Sequence, residues 1–139
     1  MGRLVKGDWQ LADQPHDSSG QFTRKPTTLR NWISSDSSTS FPAEAGRYHL
    51  YVSLACPWAH RTLIVRKLLG LEQAVTVSVV DPHMGDEGWT FSDAPGTDPD
   101  TVNGRRLMRE VYLLAQPDFS GRVTVPVLWD KHQGCIVNN

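Results

Sequence analysis

The sequence predicts an α/β fold built from a strand, a helix and a second strand in close succession, and three observations carry that expectation. Tyr48, Leu50, Tyr51 and Val52 form a short apolar and aromatic run typical of a buried strand. From Pro57 onward the pattern becomes helical, with Ile64, Val65, Leu68 and Leu69 on one face and Arg61, Arg66 and Lys67 turned outward. Val75, Val77 and Val79 then alternate with Thr76 and Ser78 until Asp81-Pro82 ends the run, which reads as a strand over residues 75–80.

Residues 1–44, before this unit, read as an N-terminal arm that is mostly irregular. Asp17-Ser18-Ser19-Gly20 and the serine-rich run 34–40 are loop-like, while Trp9, Phe22, Leu29, Trp32 and Ile33 are isolated anchors. The first helix starts well, because Pro57 suits the first helical position, where its missing N–H has no partner to lose. Gly70 supplies the stop. Residues 83–100 form a long polar loop in which Trp89 and Phe91 stand out, and loops of that length are usually functional or mobile. A second helix is expected over residues 101–116, with Leu107, Val111 and Leu114 on one face and Pro117 just past its end. Residues 123–129 read as a third strand. Pro126 inside it cannot donate to a ladder, so one side of that strand must face an opening, a turn or a ligand. Residues 135–138 begin a fourth strand.

Composition bounds the function. A chain of 139 residues is one ordinary domain, long enough to bury roughly two thirds of its unfolded surface. The net charge of −1, with basic residues scattered rather than clustered, gives no reason to expect nucleic acid. Residues 1–10 lack the apolar core of a signal peptide, and no apolar run approaches the roughly 18 residues of a spanning helix, so no membrane is expected. Two cysteines without a disulfide-rich pattern fit a reducing compartment, the cytoplasm. His49, His83, His132 and the cysteines have no zinc-like spacing, so no metal is expected.

Cys56 carries the chemistry. It stands where the first strand gives way to the helix, at the cap, where unpaired amides and the positive end of the helix dipole favour a thiolate. A dithiol enzyme needs a resolving cysteine three residues on, and Ala59 occupies that position. A monothiol must hand its disulfide to an external thiol, and glutathione is the abundant candidate. The plain alternative is a buried structural cysteine, against which the order of strand, Cys-Pro and helix speaks.

The order β, α, β, α, β, β, with a cysteine after the first strand and Val-Pro at the third, resembles the glutathione-binding half of the glutathione transferases, a thioredoxin-like fold. Four boxes narrow the resemblance: Phe41-Pro42-Ala43-Glu44-Ala45-Gly46-Arg47-Tyr48-His49-Leu50-Tyr51, Cys56-Pro57-Trp58-Ala59-His60-Arg61, Gly88-Trp89-Thr90-Phe91, and Gly121-Arg122-Val123-Thr124-Val125-Pro126-Val127-Leu128-Trp129-Asp130. Together they are similar to the xi class, whose members are glutathionyl-hydroquinone reductases. The resemblance implies that residues 45–139 form an incomplete thioredoxin-like domain.

Laid onto this sequence, the resemblance implies that Cys56 is the nucleophile that attacks the thioether sulfur of a glutathionyl-hydroquinone. Hydroquinone is released, and a second glutathione resolves the Cys56-glutathione disulfide. Trp89, Arg122, Val123, Thr124 and Val125 would then hold glutathione, with Val125 pairing its backbone to the tripeptide as an added strand. Pro57 and Pro126, the latter resembling a family cis-proline, would be structural at the site. Each has an ordinary alternative: Trp89 could pack the arm, Arg122 could be a solvated turn charge, His60 a surface residue and Cys135 a core cysteine. Two other functions stay open on the same residues, an omega-like or glutaredoxin-like thiol transferase that removes glutathione from disulfides, and a non-catalytic truncated module that only binds.

The family pattern continues past a fourth strand into a Glu-Ser pair that holds the γ-glutamyl carboxylate at a helix start, a third helix and an all-helical domain carrying the acceptor pocket and most contacts of a homodimer. This sequence ends at Asn138-Asn139, short of that pair. The expectation is a fragment truncated in or just after its fourth strand, with the helical domain absent, an open sheet face and marginal stability.

Overall fold

The computed structural model describes residues 2–11, 16–21, 23 and 26–139. Phe22, expected as an anchor, lies outside them. Six strands and two helices run in the order β1 (Gly2–Val5), β2 (Asp8–Leu11), β3 (Tyr48–Val52), α1 (Pro57–Leu68), β4 (Val75–Val79), α2 (Met108–Ala115), β5 (Val127–Asp130) and β6 (Cys135–Asn138). The main sheet has the order β4-β3-β5-β6. β3 pairs parallel with β4 and antiparallel with β5, and β5 pairs antiparallel with β6. A parallel βαβ unit joined to an antiparallel hairpin is the thioredoxin-like arrangement.

The register of β3 sends its side chains to two different environments. Leu50 and Val52 pack with Ala59 of α1 and with Val75, Val77, Val79 and Leu128. Tyr51 joins the larger core, where α2 contributes Met108, Val111 and Tyr112 against Val127, Trp129 and Ile136. An ion pair ties the end of β5 to the start of β3: Arg47 Nη2 lies 2.6 Å from Asp130 Oδ2, and Asp130 is fully buried. Burial works against that carboxylate, but hydrogen bonds from Arg47 and from the His132 and Gln133 N–H groups outweigh it and hold its pKa below the ordinary value.

α1 ends as the sequence suggested. Gly70 takes φ +64, its N–H bonds the Lys67 carbonyl, and Leu71 N–H bonds the Arg66 carbonyl, the paired closure in which a left-handed residue favours glycine. Arg66 Nε then donates to Val75 O at 2.7 Å, pinning the helix end to β4.

Three expectations need correction. The second helix starts at Met108 rather than near residue 101, because Asp100 accepts the N–H groups of Val102, Asn103 and Arg105 and Gly104 sits at φ +65. Those bonds wind residues 100–105 into a turn. The third strand is Val127–Asp130 only: residues 123–126 lie outside the ladder with a bend at Val125, and Pro126 precedes the strand rather than interrupting it. The arm, expected to be mostly irregular, also carries a β1–β2 hairpin, turned by Lys6 and Gly7, both at positive φ, which leaves that expectation standing. Trp32, expected as an anchor, is 75% exposed, whereas Leu29 and Ile33 do pack against the core.

Candidate active site

Cys56 occupies the N-cap of α1 with extended backbone angles (φ −98°, ψ 113°), and Pro57 follows at the first helical turn. A tight turn presents it. Cys56 N–H donates to Ser53 O at 3.1 Å, and Ser53, fully buried, receives the Ala55 N–H on its hydroxyl. Cys56 O in turn accepts from His60 N–H at 3.0 Å, the first closed turn of the helix. The side chain makes no capping bond to the helix. Its Sγ–H instead donates to Val125 O at 3.4 Å.

The Val125 carbonyl is where it is because of its neighbour. Tyr112 Oη, deep in the core on α2, donates to Thr124 O at 3.0 Å and accepts from Thr124 N–H at 3.2 Å. Both backbone groups of Thr124 therefore face α2. The chain then bends at Val125, whose carbonyl meets the sulfur. The Val125-Pro126 peptide bond is cis. Val123 and Val125 are buried in the main core, so this segment is held on both sides.

A cleft of about 880 Å³ opens beside the sulfur. Its walls include Cys56, Trp89, Arg122, and Val123 through Pro126, so every binding residue expected from the sequence lines one cleft together with Cys56. Pro57 stands beside it at the helix start. Trp89 is partly buried, fixed by the bond from Met108 N–H to its carbonyl at 2.9 Å. Arg61 and Arg66 of α1 join Arg122 in lining the cleft. Three arginines and a helix N-terminus suit an anionic ligand.

Some lining residues had no signal in the sequence. Met84 and Asn139 reach the cleft only through tertiary placement. Asn139 Nδ2 bonds Tyr112 Oη and also Thr124 Oγ1, the latter at 3.2 Å, extending the lock on residue 124. Beyond the sulfur the cleft is floored by Leu50, Val75 and Leu128 of the sheet. Cys135 lies apart, packed beside Phe41, Tyr48 and Val137, and burial raises its thiol pKa. Among the described residues no group of three or more His, Cys, Asp or Glu side chains could hold a metal ion, and no helix is long and apolar enough to cross a membrane.

Residues 55–139 match the family described as glutathione S-transferase, N-terminal domain. The chain is 50% identical to the glutathionyl-hydroquinone reductase YqjG of Escherichia coli, over all of this chain and 45% of that protein. Among solved structures, a xi-class glutathione transferase from Natrialba magadii superposes with a TM-score of 0.89 at 51% identity, covering 100% of this chain and 41% of the other. The glutathione-bound structure of the Escherichia coli YqjG protein superposes with a TM-score of 0.82 at 48% identity, covering 99% and 42%. The chain thus spans less than half the length of these relatives.

Proposed function

The chain belongs to the glutathione S-transferase N-terminal domain family, within which it is similar to xi-class members, and from that premise we propose that it is a glutathione-dependent thiol transferase whose reaction is the reduction of glutathionyl-hydroquinones. The observation that carries the reading is the meeting of Cys56 Sγ with the Val125 carbonyl, 3.4 Å apart at a helix N-terminus. Glutathione, a short extended peptide, would lie along residues 123–125 with its cysteinyl backbone on Val125 and its sulfur facing Cys56. Trp89 would cover it, and Arg122 would meet a carboxylate.

The chemistry balances with two thiols. The Cys56 thiolate attacks the thioether sulfur of the glutathionyl-hydroquinone, the carbon–sulfur electron pair stays with the ring carbon, and that carbon takes a proton as hydroquinone leaves. A glutathione thiolate then attacks the glutathionyl sulfur of the mixed disulfide, releasing glutathione disulfide and restoring the Cys56 thiolate. Ala59 stands where an internal resolving cysteine would be, so the second thiol comes from solution. A reducing cytoplasm supplies that thiol and keeps Cys56 and Cys135 free. In the relatives' full length, a homodimer is the assembly this reading carries.

The test is hydroquinone release from glutathionyl-menadiol with glutathione as reductant, compared with Cys56→Ser. Loss of release in the variant, with a glutathione adduct found on Cys56 of the native chain, is the expected result. Release that survives Cys56→Ser overturns the reading. Activity on glutathione mixed disulfides without hydroquinone release would instead make the chain an omega-like thiol transferase. Glutathione binding with neither activity would make it a binding module.

A further inference from the structure

No residue of the β1–β2 hairpin lines the cleft, yet the hairpin grips the two loops that deliver the cleft's far walls. On one side, Leu4 exchanges a pair of backbone hydrogen bonds with Gly121, both at 2.9 Å. Gly7 N–H donates to Phe119 O at 3.1 Å, and Lys6 N–H donates to Ser120 Oγ at 2.7 Å. These bonds hold residues 119–121, and Arg122 is the next residue. On the other side, Trp9 Nε1 donates to Asp86 O at 3.0 Å. The Trp9 ring lies so close to Gly88 that an added Cβ there would sit 3.0 Å from it, and Trp89 is the next residue. Arg109 of α2 stacks its guanidinium 4.9 Å from the Trp9 ring and bonds Glu87 O at 2.9 Å, closing the grip from behind.

Residues 80–107 and 116–126 contain no regular strand or helix, so their order comes from such side contacts. A two-stranded hairpin is itself marginal in water. Here it is anchored by Leu4, only 1% exposed within the main core. We infer that the hairpin is a positioning element for the cleft, and that Trp9 is the residue through which it sets the separation of the Trp89 and Arg122 walls. The inference rests on the glutathione reading for the identity of the ligand. The positioning itself rests on the contacts above. A wall ordered beforehand spares the ligand the cost of ordering it, so the effect falls on binding rather than on the thiol.

The experiment compares the native chain with Trp9→Ala and Trp9→Phe in glutathione-dependent turnover, in alkylation of Cys56 by iodoacetamide, and in amide hydrogen exchange. Trp9→Ala is expected to raise the glutathione concentration for half-maximal rate about fivefold to tenfold, the loss of one well-ordered wall. The saturated rate and the alkylation rate stay within about twofold, since neither needs the walls. Exchange quickens in both 85–89 and 119–125. Trp9→Phe keeps a ring beneath Arg109 but loses both the bond to Asp86 and the outer indole atoms against Gly88, so it recovers only part of the affinity; should Trp9→Ala fail to fold, the same exchange readout is taken on Trp9→Phe. Exchange that quickens in the hairpin alone, or in one loop and not the other, overturns the proposal, as does a saturated rate that falls with half-saturation unchanged. Should the native chain show no glutathione dependence, the thiol-transferase reading falls, and exchange at the two loops still decides whether the hairpin positions them.

Discussion

On one face of the sheet α2 buries Met108, Val111 and Tyr112, all at 0% exposure, whereas on the other α1 fully buries only Ala59 and leaves Ile64, Val65, Leu68 and Leu69 between 46% and 77% exposed. The first face is an anchor. It fixes residue 124 through Tyr112 and, by consequence, the carbonyl that meets Cys56. The second face is a support for one reactive turn, held at its two ends by the Cys56 cap and by the Arg66 bonds to Val75 and Glu72. Reactive and stabilising work are therefore divided between the two sides, and substitutions on each should have different signatures.

The largest effect is expected from Trp129→Ala. Trp129 is 2% exposed in the α2-side core, and its truncation should cost about 3–5 kcal/mol in denaturant unfolding. A loss below about 1 kcal/mol would break the claim that this face anchors the fold. Acid should act on the same face nearly as strongly. His49 is 1% exposed, its Nδ1 pairs with Thr76 Oγ1 at 2.7 Å, and its Nε2 is buried without a hydrogen-bond partner. Burial pushes its pKa down to about 4. The unfolded chain takes up this proton near pH 6.5 and the folded chain does not, so stability is full above that pH and falls as pH drops from about 6.5 to about 4, by about 3 kcal/mol in all. Urea midpoints across that window check the slope, and His49→Gln should flatten it.

Tyr112→Phe sharpens the link from anchor to site. It removes only the hydroxyl that holds both backbone groups of Thr124. About 1–2 kcal/mol of stability should go with it, and the Thr124 amide should exchange faster. An unchanged amide would show that residue 124 is held by its valine neighbours alone. The smallest effect belongs to the open face. Leu68→Ser alters a side chain 77% exposed and should change stability by less than about 0.5 kcal/mol. Self-association in sedimentation should fall, since Leu54, Trp58, Ile64, Val65 and Leu69 expose apolar surface on and beside the same helix.

Local chemistry made part of this legible. The cysteine-proline cap, the glycine closure after α1, the apolar run of β3 and the alternation in β4 are each specified by a few neighbouring residues, and each stands where the sequence indicated. The residues that line the cleft with Cys56 could be named beforehand only through the resemblance their runs carry. The hairpin was harder to see because Lys6-Gly7 is an uncommon turn pair and its strands are only four residues long. Residues 101–107 misled because their periodicity is helical while the Asp100 carboxylate, at the head of the segment, captures the amides that a helix would need.

The position of Cys56 at the cap and the kind of helix start that presents it followed from the sequence, because a cap is a matter of adjacent residues. Only the tertiary structure decided that Val125 faces the sulfur, that the Trp89 and Arg122 loops share one hairpin, and that α1 keeps its apolar side open. Those outcomes depend on which distant group satisfies a given backbone amide or carbonyl. Tyr112 and Thr124, twelve residues apart, settle one of them; Leu4 and Gly121, from opposite ends of the described chain, settle another.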